Sequence, residues 1–461
     1  MKTENICTMS DSYKMNHYKM YPKGTESVYC YFESRSGAKY DETVFFGLQY
    51  IIKQYLEGEV VTMEKIDRAE KLINAHLGPN SFNREGWEYI VEKYDGKLPV
   101  TIKAVAEGTS VPTNNVLMTV ENNDPKCYWL TNYLETVLTH VWYSSTVATL
   151  SREVKKLCAN YAETTCDNDD HIMFQLHDFG FRGVSSVQSA AIGGAGHLIN
   201  FMGTDTIAAM ELIMDYYNMD EIPAYSVPAT EHSIMTSMGK EGEEQLIEQL
   251  LDEYPTGILS IVIDSYDYRN FIKICGTKFK DRILERDGKV VFRPDSGDPM
   301  KVSFEVMRLL DQYFGTTTNS KGYKVLNPKV GMLWGDGIDF DGIAGIIMYL
   351  WQNKYSSANI VFGMGGGLLQ KVNRDTQRFA FKCSAQKRDG QWVDIWKDPI
   401  DKSKASKRGK LALIKNYKGE FATIKSEAMV SGERNYLETV FENGKLVKEY
   451  TFEEIRNNAK I

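Results

Sequence analysis

The sequence predicts an α/β protein, an irregular β/α barrel joined to a second, discontinuous α/β domain. Three observations predict it. From about His171 onward, short apolar runs alternate with segments of helical period, which is how a parallel sheet buried on both faces is written. Strand after strand in that region ends in a polar or glycine-rich cluster that a core would not choose. Both flanks of the region carry hairpin signals instead, so they are expected to meet in one further domain. At 461 residues the chain is also longer than one hydrophobic core usually organises.

The elements follow in order. Residues 1–150 are read as the first part of the α/β domain with a helical linker, 151–378 as the barrel, and 379–461 as hairpins that rejoin the N-terminal strands. TESVYCYF from Thr25, VTIKAVAEG from Val100 and NVLMTVEN from Asn115 are rich in β-branched and aromatic residues and read as strands. FFGLQYIIKQYL and EKIDRAEKLINAHL between them have helical spacing, as does the stretch from Cys127 to Glu163. In the barrel, HIMFQLHDFGFR reads as a strand before the helix SVQSAAIGGAGHLINF. TGILSIVIDS, KVVFRPDSGDP, VGMLWGDG and NIVFGMGGG each precede a helical segment. After Phe379, FAFKCSAQKRDGQWVDIWKD and KLALIKNYKGEFATIK read as hairpins.

Composition narrows the function classes. A formal net charge of −8 disfavours nucleic-acid binding, which needs a basic surface to displace counterions. No run approaches the length of a membrane span, and the polar N-terminus lacks the apolar segment of a secretion signal, so no membrane partner and a cytoplasmic location are expected. The seven cysteines are scattered and never spaced C-x-x-C, which suggests reduced thiols rather than disulfides or zinc.

The strand ends are where binding groups collect in such folds. Gly363, Gly365, Gly366 and Gly367 lie between an apolar strand and a helix start; they read either as a backbone cradle for phosphate or as a tight turn needing positive φ. Arg293-Pro294-Asp295 sets a cation and an acid two apart, suited to phosphate and to ribose hydroxyls or a metal, or else to a local ion pair in a charged turn. Asp264, Asp267, Asp336 and Asp339 could act through Mg²⁺ or cap helices, and capping is favoured for Asp267 and Asp339. His232 could be oriented by Glu231 for chemistry or be merely structural. Lys397, Lys402, Lys404, Lys407, Arg408 and Lys410 form a basic run, either a solvated loop or a flap over a polyanion.

Read in order, DSYKMNHYKMYP, LHDFGFRGVSS, NFMGTDT, YSVPATEHS, IDSYD, RPDSGDP, GDGID and FGMGGGLLQKVNRD resemble the nicotinamide phosphoribosyltransferase family over nearly the whole chain. The resemblance implies a type II phosphoribosyltransferase, working as a homodimer with active sites at the subunit interface. It implies that nicotinamide and 5-phosphoribosyl 1-pyrophosphate form nicotinamide mononucleotide and pyrophosphate. Phe179 of one subunit and Tyr13 of the other would sandwich the pyridine ring, Asp205 would accept from the carboxamide, and Arg293 would lie beside the ring. Asp295, Gly335, Asp336, Gly365, Gly366 and Arg374 would hold the ribose phosphate; Arg182, Arg35 and Lys382, with Lys397 and Lys404, would meet the pyrophosphate. His232 matches the histidine that family members phosphorylate with ATP, beside Asp264, and Mg²⁺ would enter with the phosphates. Its rivals are nicotinate phosphoribosyltransferase, disfavoured by the carboxylate of Asp205, and a non-catalytic binding protein with the same fold.

Overall fold

The computed structural model describes residues 4–397, 400 and 406–461. Lys402 and Lys404 of the expected flap lie outside the described residues. The chain divides into two compact units. The first comprises Met1–Thr149, Ile213–Asp220 and Asn373–Lys460; the second comprises Leu150–Leu212 and Glu221–Val372.

The first unit is built on a seven-stranded sheet. Its long strand Thr25–Ser34 pairs antiparallel with Phe379–Arg388 on one side and Val116–Asn122 on the other. Distant parts of the sequence thus share one sheet, because their apolar faces can be buried only together. Tyr31, Phe32 and Phe379 are fully or almost fully buried there, with the Phe32 and Phe379 rings stacked 5.1 Å apart. Val100–Ala104 pairs with both Val116–Asn122 and Glu438–Glu442.

The second unit is the barrel. Parallel strands run in the order Gly203–Thr204, Leu176–Asp178, Ile360–Met364, Val330–Trp334, Asp287–Arg293 and Thr256–Val262. Two isolated parallel bridges, Gly203 to Tyr225 and Ala229 to Ser260, connect the outer strands through the segment 225–229. Hence the irregularity: part of the ring is closed by backbone that never becomes a regular strand. The expected strand across HIMFQLHDFGFR is also shorter than its sequence suggested. A 3₁₀ turn occupies Ile172–Phe174, and only Leu176–Asp178 pairs in the sheet. Gly203–Thr204 is a two-residue strand too short for a periodicity signal. Buried His197 steadies it, meeting Ser151 Oγ through Nδ1 at 2.9 Å and the Gly203 carbonyl through Nε2 at 3.1 Å.

Helices return the chain between strands, and their ends are set by local chemistry. Pro299–Phe314 begins behind Asp298, whose carboxylate accepts from Lys301 N at 2.9 Å, has proline in its first turn and stops at Gly315 with φ 84°. Val306, Met307, Leu310 and Phe314 form its buried face. Asp267 and Asp339 cap Tyr268–Thr277 and Phe340–Gln352. For these two acids the capping alternative is the observed one.

One buried acid in the first unit has a measurable signature. Glu107 accepts from the backbone N–H of Gly47 at 3.1 Å and Gln49 at 2.6 Å, at the start of helix Leu48–Ile51, and from the Tyr217 hydroxyl at 3.1 Å. Burial outweighs these bonds and pushes its carboxyl up to about 7. Since the folded value is the higher one, the folded chain holds a proton that an unfolded carboxyl near 4.5 has released. The resulting stabilisation is complete below about pH 4.5 and is lost as pH rises through about 7. Urea denaturation across that window should show a flatter stability profile for Glu107→Gln than for the parent.

Candidate active site

At the carboxyl ends of the barrel strands lies a cavity of ≈ 770 Å³. Phe179, Arg182, Asp205, Arg293, Asp295, Gly335, Asp336 and Gly365 all line it. They come from five different strand ends, yet parallel pairing brings those ends to one rim.

Phe179 follows strand Leu176–Asp178, and its backbone N–H donates to the Met364 carbonyl at 3.0 Å. The ring rests on glycines. A Cβ on Gly363 would fall 2.0 Å from Phe179 Cε2, and one on Gly335 would fall 3.4 Å from it. This changes the reading of the glycine run. None of Gly363, Gly365, Gly366 and Gly367 has positive φ, so the tight-turn alternative does not apply. Gly363 leaves room for an aromatic ring, and Gly367 leaves room for the Ile338 carbonyl, 2.5 Å from where a Cβ would sit. A Cβ on Gly366 would meet nothing within 4 Å. The helix that follows, Gly366–Leu369, is a single turn.

Asp205 is exposed to the cavity and is held from two sides. Its N–H donates to the Asp178 carbonyl at 2.9 Å, and its Oδ1 accepts from Ser226 Oγ at 2.5 Å. Arg293 ends its strand half-buried and donates through Nη2 to the Thr230 carbonyl at 2.6 Å. Burial lowers the proton affinity of its guanidinium, and the nearby charges of Asp295 and Asp205 oppose that. Burial raises the Asp295 carboxyl above the usual range, while Arg293 pulls it back and Asp264 pushes the same way as burial.

His232 opens the short helix His232–Met235, just after the segment that closes the barrel. Its Nδ1 lies 3.1 Å from Ser265 Oγ, and its Nε2 lies 3.8 Å from Asp264 Oδ1 and 3.6 Å from Asp295 Oδ2. Glu231 does not orient the ring as anticipated: it accepts from Ser233 Oγ instead. A serine on the next strand end takes that part. Asp264 Oδ2 accepts from Asp295 N at 3.0 Å and from the Ser296 hydroxyl, while its buried Oδ1 has no hydrogen-bond partner. An unsatisfied carboxylate oxygen suits a cation, so Asp264 and Asp295 are the residues that could hold Mg²⁺. Among the described residues no cluster of three or more His, Cys, Asp or Glu side chains forms a complete metal site. Phosphate oxygens would have to complete the shell.

The remaining candidates belong to the first unit. Tyr13, on the 3₁₀ helix Ser12–Lys19, is 61% exposed, with His17 as an edge-on ring neighbour. Arg374 is exposed and precedes strand Phe379–Arg388, its carbonyl accepting from Phe379 N at 3.1 Å. Arg35 donates through Nε to the Arg378 carbonyl at 2.9 Å. Lys382 does not stand apart as a bare cation: its Nζ lies 2.9 Å from Glu33 Oε1, and Lys407 pairs with the other oxygen of that buried carboxylate. Lys397 is exposed, its N–H donating to Ser406 Oγ at 2.9 Å. Sequence reasoning missed Ser226 and Ser265. Both fall inside stretches it had singled out, but a lone serine carries no signal of its own.

Residues 174–445 match the nicotinate phosphoribosyltransferase (NAPRTase) family, and residues 5–102 match the nicotinamide phosphoribosyltransferase N-terminal domain. A nicotinamide phosphoribosyltransferase of Xanthomonas campestris pv. campestris (strain 8004) is 46% identical over 465 residues, covering 99% of this chain and 98% of that protein. Among solved structures, nicotinate-nucleotide pyrophosphorylase from Pyrococcus furiosus aligns with a TM-score of 0.64 at 15% identity, covering 100% of this chain and 96% of that one. Human nicotinic acid phosphoribosyltransferase aligns at 0.57 and 14%, covering 98% and 92%. Barrel, rim and matches together define a phosphoribosyltransferase of the NAPRTase kind. More narrowly, the chain belongs to the nicotinamide phosphoribosyltransferase family.

The packing of Phe179 on Gly363 is open to test. Gly363→Ala should overfill the rim, cost about 1–3 kcal/mol in chemical denaturation and displace the Phe179 ring in a crystal structure of the variant.

Proposed function

We propose that the chain condenses nicotinamide with 5-phosphoribosyl 1-pyrophosphate to give nicotinamide mononucleotide and pyrophosphate, as a step of NAD biosynthesis. The observation that carries this reading is the gathering of Phe179, Asp205, Arg293, Asp295 and Asp336 around one cavity in a chain of this family. The pyridine nitrogen forms a bond to ribose C1 as the bond from C1 to the pyrophosphate oxygen breaks. Nicotinamide leaves as the pyridinium of the product, and no proton has to move. The protein's work is therefore alignment and charge stabilisation. Phe179 offers one face for the ring, and Asp205 accepts from the carboxamide N–H₂ while repelling the carboxylate of nicotinate. Arg293 and Arg182 face the developing pyrophosphate, and Asp295 and Asp336 take the ribose hydroxyls. Mg²⁺ would neutralise phosphate charge, with Asp264 and Asp295 as its protein ligands.

The proposal extends to a homodimer. An exposed Tyr13 is suited to cover the second face of the ring in a neighbouring site, so that Phe179 meets Tyr13 of the partner subunit. Arg374, Arg35 and Lys382 would add charge for phosphate. ATP would phosphorylate His232, the γ-phosphoryl passing to the imidazole with release of ADP and the ring proton. Free thiols at all seven cysteines favour a cytoplasmic setting. No helix among the described residues is long and apolar enough to cross a membrane.

Purified protein given nicotinamide, 5-phosphoribosyl 1-pyrophosphate and Mg²⁺ should make the mononucleotide, detected by chromatography. Failure to do so with or without ATP would leave the non-catalytic reading standing. Asp205→Asn should lower the ratio of kcat/KM for nicotinamide over nicotinate by on the order of tenfold or more, equivalent to about 1.4 kcal/mol. His232→Ala should keep basal turnover and lose ATP stimulation. If sites are shared, Tyr13→Ala and Phe179→Ala subunits, each impaired alone, should regain activity when mixed and allowed to exchange.

A further inference from the structure

We infer that Asp178 is a positioning residue that fixes the ring-binding and amide-binding side chains relative to one another, and so sets affinity for the pyridine substrate. The inference rests on the reaction proposed above and concerns a residue given no part in it.

Asp178 is wholly buried at the end of strand Leu176–Asp178, between the strands that end in Met364 and Thr204. It touches both recognition turns at once. Its Oδ1 accepts from Gly180 N at 2.7 Å, pinning the turn on which Phe179 stands. Its backbone carbonyl accepts from Asp205 N at 2.9 Å. One residue thus ties the aromatic platform to the carboxylate that would read the amide.

The other carboxylate oxygen faces the turn that carries Asp205. Oδ2 is buried without a hydrogen-bond partner, and so is the Thr206 hydroxyl on the Asp205 turn. The hydroxyls of Thr206 and Thr204 lie near enough to favour the charged form, but Oδ2 makes no regular hydrogen bond. Space for it is reserved by Gly194, where a Cβ would come 3.0 Å from Oδ2 and 2.7 Å from Ala209 Cβ. Burial, with the Asp205 charge adding to it, lifts the Asp178 carboxyl to about 6. An asparagine keeps an oxygen to accept from Gly180 N and fills the same space beside Gly194, whereas alanine does neither.

Steady-state kinetics on Asp178→Ala and Asp178→Asn test this against both substrates. Asp178→Ala should raise KM for nicotinamide on the order of tenfold or more while KM for 5-phosphoribosyl 1-pyrophosphate rises far less, because the contacts of Asp178 go to the turns that carry Phe179 and Asp205. Asp178→Asn should restore most of the nicotinamide KM. Equal losses for both substrates, or an unchanged nicotinamide KM in Asp178→Ala, would overturn the inference. So would an asparagine variant as impaired as alanine despite a melting curve matching the parent. If Asp178→Ala does not fold, the asparagine comparison and the nicotinamide-to-nicotinate kcat/KM ratio decide: parent-like values for both support the assignment, and an altered ratio with parent-like stability refutes it. A parent that makes no mononucleotide removes the reaction itself, a result distinct from an active parent whose variants behave alike.

Discussion

Everything at the rim follows from strands that are buried on both faces. Such strands offer little polar surface within the sheet, so most charged groups gather where the strand stops. Parallel pairing then puts all the stops at one end. Ile261 opposite Phe292, Trp334 opposite Phe362 and Phe362 opposite Leu176 are the last apolar pairs before the polar rim begins. Phe179, Asp205, Arg293, Asp295 and Asp336 share a cavity because the pairing leaves them nowhere else to go.

The cavity also balances charge without cancelling it. Arg293 is surrounded by Asp295, Asp205 and Asp264, and Arg182 offsets part of that acidity. The acids are in turn held apart by specific donors, Ser226 for Asp205 and the Asp295 N–H and Ser296 hydroxyl for Asp264. Fixed dipoles of this kind keep their orientation as charge moves in a reaction, which is what makes a site effective in low dielectric surroundings.

The barrel was legible because its strands are continuous apolar runs ending in motifs, a pattern that needs no partner to be recognised. Leu176–Asp178 and Gly203–Thr204 were harder to bound, since a strand of two or three residues has no period. The part His232 shares with Ser265 could not be read from either residue, because the two meet only when neighbouring strand ends are side by side. Of the two readings of the glycine run, the turn with positive φ is not the observed one. Gly363 and Gly367 are needed for what presses against them, and Phe179 is far from them in sequence.

Closure by the segment 225–229 has a further consequence. Regular ladders lace the other strands together, but this join hangs on the bridges at Tyr225 and Ala229. It is the seam of the barrel, and both of its margins hold side chains of the rim. Ser226 sits at one margin, steadying Asp205, and His232 lies just past the other, beside Asp264 and Asp295. Any displacement at Asp205 or at His232 would therefore be felt along the same loosely stitched length of backbone.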